Sequence, residues 1–148
     1  MKKFITASNN NSDLTNFALL VARVSVAALM LSHGLPKLMQ FFQPGPIEFV
    51  PFMGLSPAIS LGLAVFAEVV CSVFLLAGFV TRLSVIPLAI TMFIAAFSIH
   101  QADPFAKKEL AVMYLVIYVM LFFAGSGKYS VDHLLQRKQN KQVVYSNN

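Results

Sequence analysis

The chain has 148 residues, 57% of them hydrophobic and only 11% charged, with a mean hydropathy of +0.72. A soluble domain carries roughly 25% charged residues, so the composition excludes a water-exposed globule and points to one small membrane domain. The net charge of +5 is no nucleic-acid signal, because much of it lies in short loops and tails flanking apolar blocks, where it orients membrane helices.

Residues 1–13 are polar and asparagine-rich and read as a cytoplasmic tail. Met1-Lys2-Lys3 is basic, but Thr6 to Asp13 is polar rather than apolar, so no cleavable leader of the usual form is expected. The first span, about 14–38, would then act as its own insertion signal. Arg23 lies inside it, and His33-Gly34-Leu35-Pro36-Lys37 lies at its end.

Residues 39–57 form a connector in which Pro44, Pro46, Pro51 and Pro57 forbid a continuous helix. Its aromatic residues suit the membrane interface, so it is expected to fold back as a cap over the helices. The second span, about 58–80, holds one formal charge, Glu68. Ala64, Glu68, Cys71, Ser72 and Leu75 share a face that should point into protein.

Gly78-Phe79-Val80-Thr81-Arg82 forms a tight turn into the third span, about 83–99, which contains Pro87. Ser84, Thr91 and Ser98 recur along it as a small hydroxyl face for helix packing. His100 to Pro104 is a turn, and the fourth span runs about 109–125. Val131–Lys138 reads as a short interfacial helix with Val131, Leu134 and Leu135 toward lipid, and 136–148 as a basic polar tail.

Charge bias orients the chain. With both termini inside, the cytoplasmic side holds Lys2, Lys3, Arg82, Lys128, Arg137, Lys138 and Lys141, against Lys37, Lys107 and Lys108 outside. The expectation is an all-α, multi-pass four-helix bundle in the cytoplasmic (inner) membrane, with both termini cytoplasmic.

A lone charge at mid-bilayer costs roughly 2.5–3.5 kcal/mol, so Arg23 and Glu68 are expected to form an intramembrane ion pair. Such a pair either fixes how the helices dock or builds a polar cavity in which Glu68 carries a proton. A second, outer cluster is expected at one membrane surface from His33, Lys37, His100, Asp103 and Glu109. Histidine beside carboxylate suits proton exchange near neutral pH, and the same charges also suit the helix ends. Glu68, His33 and Glu109 are therefore the candidate proton-transfer residues. Tyr114 and Tyr118, one turn apart, are candidates to line a ligand site or to pack.

No metal site is expected, since the histidines have no close ligand partner. Cys71 is the lone cysteine and reads as a packing residue. The sequence has no phosphate loop, haem-attachment motif or nucleophile elbow, and no covalently bound cofactor is expected.

The ordered motifs resemble the DoxX family of small four-helix bacterial membrane proteins. They are Arg23, then Ser32-His33-Gly34-Leu35-Pro36-Lys37-Leu38, Ala67-Glu68, Gly78-Phe79-Val80-Thr81-Arg82, Lys108-Glu109-Leu110-Ala111, and Gly125-Ser126-Gly127-Lys128-Tyr129-Ser130-Val131-Asp132. The resemblance covers 14–135 and implies a four-helix transmembrane domain there.

It further implies a link to quinone-dependent sulfur oxidation, quinone or catechol resistance, or oxidative-stress membrane complexes. The expected role is a quinone-interacting subunit of an oxidoreductase, working with a redox partner protein. In it the Arg23–Glu68 pair would shape the pocket and the outer cluster its mouth. A non-enzymatic anchor or assembly subunit is one alternative, and a small transporter formed as a homo-oligomer is another. The bilayer is a partner in every reading; nucleic acid is a partner in none.

Overall fold

The computed structural model describes residues 12–146. They are helical with turns, and no strand occurs among them. Helix α1 spans Ser12–Gln40. Helix α2 runs over Pro57–Ala77 and contains a π-helical turn at Phe66–Cys71. Helix α3 covers Thr81–Ile99 and ends in a second π-helical segment, Ala95–Ile99. Helix α4 is Phe105–Ala124, and α5 is Val131–Ser146.

Helices α1, α2 and α3 are long and apolar enough to cross a membrane. Helix α4 has 20 residues, about 30 Å, but opens with Lys107, Lys108 and Glu109. The outer faces of all four carry exposed apolar side chains, among them Leu29, Leu63, Leu83, Ile90, Met120 and Phe123. In water this would be a large adhesive surface; against lipid it is the expected solvent contact.

The inner faces meet in one core. Val26, Ala27 and Met30 come from α1, Cys71 and Leu75 from α2, Val85, Leu88 and Met92 from α3, and Tyr114, Tyr118 and Leu121 from α4. Each helix packs on two neighbours: α1 on α2 and α4, and α3 on α2 and α4. The inward stripe of α2 is as expected, with Ala64, Glu68, Cys71, Ser72 and Leu75 all buried. The hydroxyl stripe of α3 is only partly inward: Ser84 is buried, whereas Ser98 is exposed.

Local signals set the helix ends. Ser56 caps α2, its Oγ accepting the Ile59 N–H at 3.3 Å, and Pro57 opens the helix. Gly78 closes α2 in the left-handed region, at φ +69, so α2 stops at Ala77 rather than at residue 80.

Two terminal expectations change. Asp13 belongs to α1 rather than to a tail, and residues 1–11 of that tail lie outside the described residues. Helix α5 continues to Ser146, well past Lys138, so most of the basic segment is helical.

Candidate functional site

Two buried charges lie at opposite ends of the α1–α2 interface, and the helix register explains why. Gly34 lies so close to α2 that a Cβ there would sit 2.9 Å from the Glu68 Cβ and 2.8 Å from Val69 Cγ2. At the other end, a Cβ on Gly78 would overlap the Arg23 guanidinium. Helix α1 therefore meets Glu68 near residue 34 and meets Gly78 near residue 23. The step from Arg23 to Gly34 is about 16 Å of helix.

The expected Arg23–Glu68 ion pair is therefore not formed. Helix α1 projects past the end of α2, so Arg23 lies level with the α2–α3 turn and not beside Glu68. Its guanidinium donates to the carbonyls of Ser126 and Tyr129, each at 2.7 Å. Both belong to the loop after α4, which Gly125 (φ +79) and Gly127 (φ +72) allow to curl round the side chain. Around it, Ser130 Oγ donates to the Gly127 carbonyl at 2.7 Å, and Asn16 Oδ1 accepts the Lys128 N–H at 2.8 Å. Arg23 is a structural clamp that ties the loop after α4 to α1.

Asp132 completes this end. Its carboxylate accepts the N–H groups of Val80 at 2.7 Å and Thr81 at 3.0 Å, and so caps α3. Val80 sits at φ +43, a costly conformation for a β-branched residue, and the Asp132 bond helps to hold it there. Sequence reasoning missed Asp132 as a cap because it lies 52 residues from Val80.

Glu68 has a different partner. Its Oε1 accepts from Lys37 Nζ at 2.5 Å; the carboxylate is 1% exposed and the lysine 33%. Glu68 lies within the π-helical turn of α2. Such single-turn widenings often occur at functional positions, because they re-aim a side chain without ending the helix. Its second oxygen, Oε2, is buried without a hydrogen-bond partner, as are Ser72 Oγ one turn on and Tyr118 Oη. Arg23 Nε and Thr81 Oγ1 are unpartnered in the same way at the other end of the bundle, so Glu68 is set apart by bordering a cavity as well.

The pair borders a cavity of about 380 Å³ between α2, α3 and the connector. Phe49 and Phe52 of the connector form one wall, so this segment does fold back as expected. The Phe52 N–H donates to Ser60 Oγ at 3.0 Å, and Gln40 Nε2 donates to the Glu48 carbonyl at 2.9 Å. Leu63, Phe66 and Ile90 line the cavity and are also exposed on the outer helix faces, so it opens sideways toward lipid. Pro87 and Thr91 form part of the α3 wall, and Thr91 Oγ1 donates to the Pro87 carbonyl at 2.9 Å.

The expected outer cluster separates into four parts. Lys37 turns inward to Glu68. His100 Nδ1 lies 2.7 Å from Asp103 Oδ2, with Lys107 at 3.7 Å from the other oxygen. The His100 ring, with help from Lys107, holds the Asp103 carboxyl below the usual carboxylate range. His33 stands edge-on to Tyr114, with centroids 6.0 Å apart, and Glu109 is exposed. His33, His100 and Glu109 all lie outside the cavity wall. Tyr114 stacks on Tyr118 at 6.1 Å; both are buried in the core, also away from the cavity.

Among the described residues no cluster of ligating side chains could hold a metal. Sequence reasoning missed Phe49, Phe52, Ser60, Pro87 and Thr91 as wall residues. The prolines near the cavity were the available signal, since they mark where helices and loops leave space.

A protein of Haemophilus influenzae, itself described only as an uncharacterized protein, is 28% identical over 137 residues, spanning 88% of this chain and 99% of its own. No solved structure matches. The sequence profile of the DoxX family matches residues 18–101, which include Arg23, Lys37 and Glu68. More than half of the chain is matched, from the first turns of α1 to the end of α3, and this membrane protein belongs to the DoxX family.

Proposed function

We propose that this protein binds a quinone or a similar lipophilic redox molecule in the cavity beside the Lys37–Glu68 pair. The observation that carries the reading is a buried carboxylate with one oxygen on Lys37 and the other unpartnered, bordering a cavity that opens toward lipid. A quinone carbonyl can accept from the Lys37 ammonium, and the aromatic and aliphatic walls suit its ring. Two-electron oxidation of a bound quinol releases two protons. Glu68 Oε2 can take one of them and water at the partly exposed Lys37 side the other, while both electrons pass to a redox partner protein. The role is that of a membrane subunit of a quinone-linked system.

The membrane arrangement that goes with this reading has α4 as a fourth span, Lys107 and Lys108 at the outer boundary, and both termini in the cytoplasm. The bias of basic residues supports that orientation and the inner membrane.

A second reading is a membrane anchor or assembly subunit. An apolar groove of about 640 Å³ between α1 and α4, lined by Ala22, Ser25 and Leu29 opposite Met113, Ile117 and Met120, favours it. Small residues on α1 there would let a partner helix approach closely.

The test is a calorimetric titration of the purified protein with a short-chain benzoquinone. Saturable binding is expected, weakened about tenfold or more by Lys37→Met and by Glu68→Gln, since each removes a charged hydrogen-bonding group. His33→Ala and Glu109→Gln should bind as wild type. Absence of saturable binding, or binding that ignores both Lys37 and Glu68, would reject the site.

A further inference from the structure

The end of the molecule opposite the Lys37–Glu68 pair carries a second hollow, of about 720 Å³, between the start of α3, the loop after α4 and the first turns of α5. Its wall combines Arg82, Lys128 and His133 with Asn16 and Gln136. Asp132 is the acidic residue of the wall, and its two oxygens are already engaged by the Val80 and Thr81 N–H groups. Arg82 makes one long bond, to the Phe123 carbonyl at 3.5 Å, and Lys128 pairs with Asp13 at the exposed surface at 3.1 Å.

Apolar surface continues directly from this polar hollow. Leu83 belongs to its wall and is 65% exposed; Phe123, whose carbonyl Arg82 contacts, is 74% exposed. Below them the outer faces of α3 and α4 present Ile86 and Met120. A basic hollow at the end of an apolar stripe matches a molecule with an anionic head and hydrocarbon chains. Arginine is especially suited to phosphate, because its guanidinium can donate two parallel hydrogen bonds.

We infer that this hollow, formed by Arg82, Lys128 and His133, binds a phosphate-bearing anion, supplied as the headgroup of an anionic phospholipid. The site is independent of the quinone reading. It would tie the loop held by Arg23 to the lipid headgroup layer, and it fits a membrane leaflet rich in acidic lipid.

Native mass spectrometry of the full-length protein, released from a neutral detergent, tests it with phosphatidylglycerol, phosphatidylcholine and inorganic phosphate as probes. Phosphatidylglycerol should be retained in preference to phosphatidylcholine. Each basic residue near an acidic lipid surface is worth about fivefold, so the double variant Arg82→Ala/Lys128→Ala should lose about 25-fold in retention.

Gln136→Asp, on the exposed side of the hollow, should also weaken retention without touching the Arg23 clamp. Lys107→Ala/Lys108→Ala, at the far end, should leave it unchanged. Retention that excess inorganic phosphate fails to displace supports the lipid source. Phosphate binding without lipid preference transfers the site to soluble phosphate esters. Equal retention of the two lipids with no phosphate binding, or retention indifferent to both Gln136→Asp and the Arg82/Lys128 double variant, overturns the inference.

Discussion

Lys37 reaches from α1 to the buried carboxylate of Glu68 on α2 at 2.5 Å, and so supplies the cation that a buried acid in an apolar helix requires. The pairing couples the end of α1 to the π-helical turn of α2. Removing Lys37 leaves Glu68 buried and unpaired, whereas removing Glu68 leaves a lysine that is one-third exposed. Lys37→Met should cost about 3 kcal/mol of stability, the low end of the range for breaking a buried pair, and Glu68→Met less, because the lysine it leaves is partly exposed. The double variant should recover part of that loss. A double-mutant cycle by thermal unfolding in detergent reads the coupling, and additive losses would show that the contact is not energetically coupled.

Arg23 and Glu68, in contrast, should behave independently. Arg23→Lys loses the forked donor and should cost about 1.5–3 kcal/mol, in line with one hydrogen bond to a charged group. Combined with Glu68→Gln, the losses should add to within about 0.5 kcal/mol, since the sites are far apart and share no partner. Folded Arg23→Lys protein should keep its quinone affinity. Strong coupling between the two positions would mean that the helix register is wrong.

Gly34 is predicted to be sensitive because of what faces it. A Cβ there would lie 2.9 Å from the Glu68 Cβ and 3.0 Å from its backbone carbon, and backbone cannot swing aside. Gly34→Ala should force α1 and α2 apart at a cost of about 1–3 kcal/mol, and should weaken quinone binding by moving Lys37 off Glu68. Gly62, where a Cβ would meet one ring atom of Phe41 at 3.8 Å, is the tolerant comparison. Equal tolerance at both positions, in melting temperature and in binding, would contradict the close approach.

The α2–α3 turn depends on Asp132. Asp132→Ala removes the acceptor for two N–H groups at the start of α3 and should cost about 1–2 kcal/mol, as loss of a helix cap does. Val80→Asn, which tolerates the left-handed region, should soften that loss. Amide hydrogen exchange at residues 80–84 is the measurement, with faster exchange expected in Asp132→Ala alone.

The His100–Asp103 contact gives a pH dependence with a defined sign. The folded carboxyl of Asp103 sits below its ordinary value near 3.9, so its contribution is present above that value and lost as pH falls beneath it. Exchange of amides in the 100–104 turn should therefore accelerate below about pH 4, and Asp103→Asn should remove that acid limb. An unchanged acid limb in the variant would assign it to another group.

Much of this protein is determined by local chemistry that a linear reading captures. Long apolar runs fix the spanning helices because lipid offers no partner for backbone N–H and C=O groups, which must be satisfied within each helix. The inward stripe of α2 followed from periodicity alone, and the connector was readable because proline forbids helix. Arg23 and Glu68 stood out because charge in an apolar helix needs an explanation, whereas Lys37 read as a surface charge at the helix end.

Who pairs with whom was decided only in three dimensions. As the two charges inside apolar spans, Arg23 and Glu68 are expected side by side. The actual register follows from the contact of Gly34 with α2 and the turn at Gly78, and it puts Lys37 there instead. Each residue of axial offset moves a side chain by 1.5 Å, so a shift of three turns exchanges one partner for another. The outer cluster dissolved for a related reason: helix ends that share one membrane surface are still spread around the rim of a bundle. Sequence specified which charges are buried; helix packing alone specified that one set builds a clamp and the other borders a cavity.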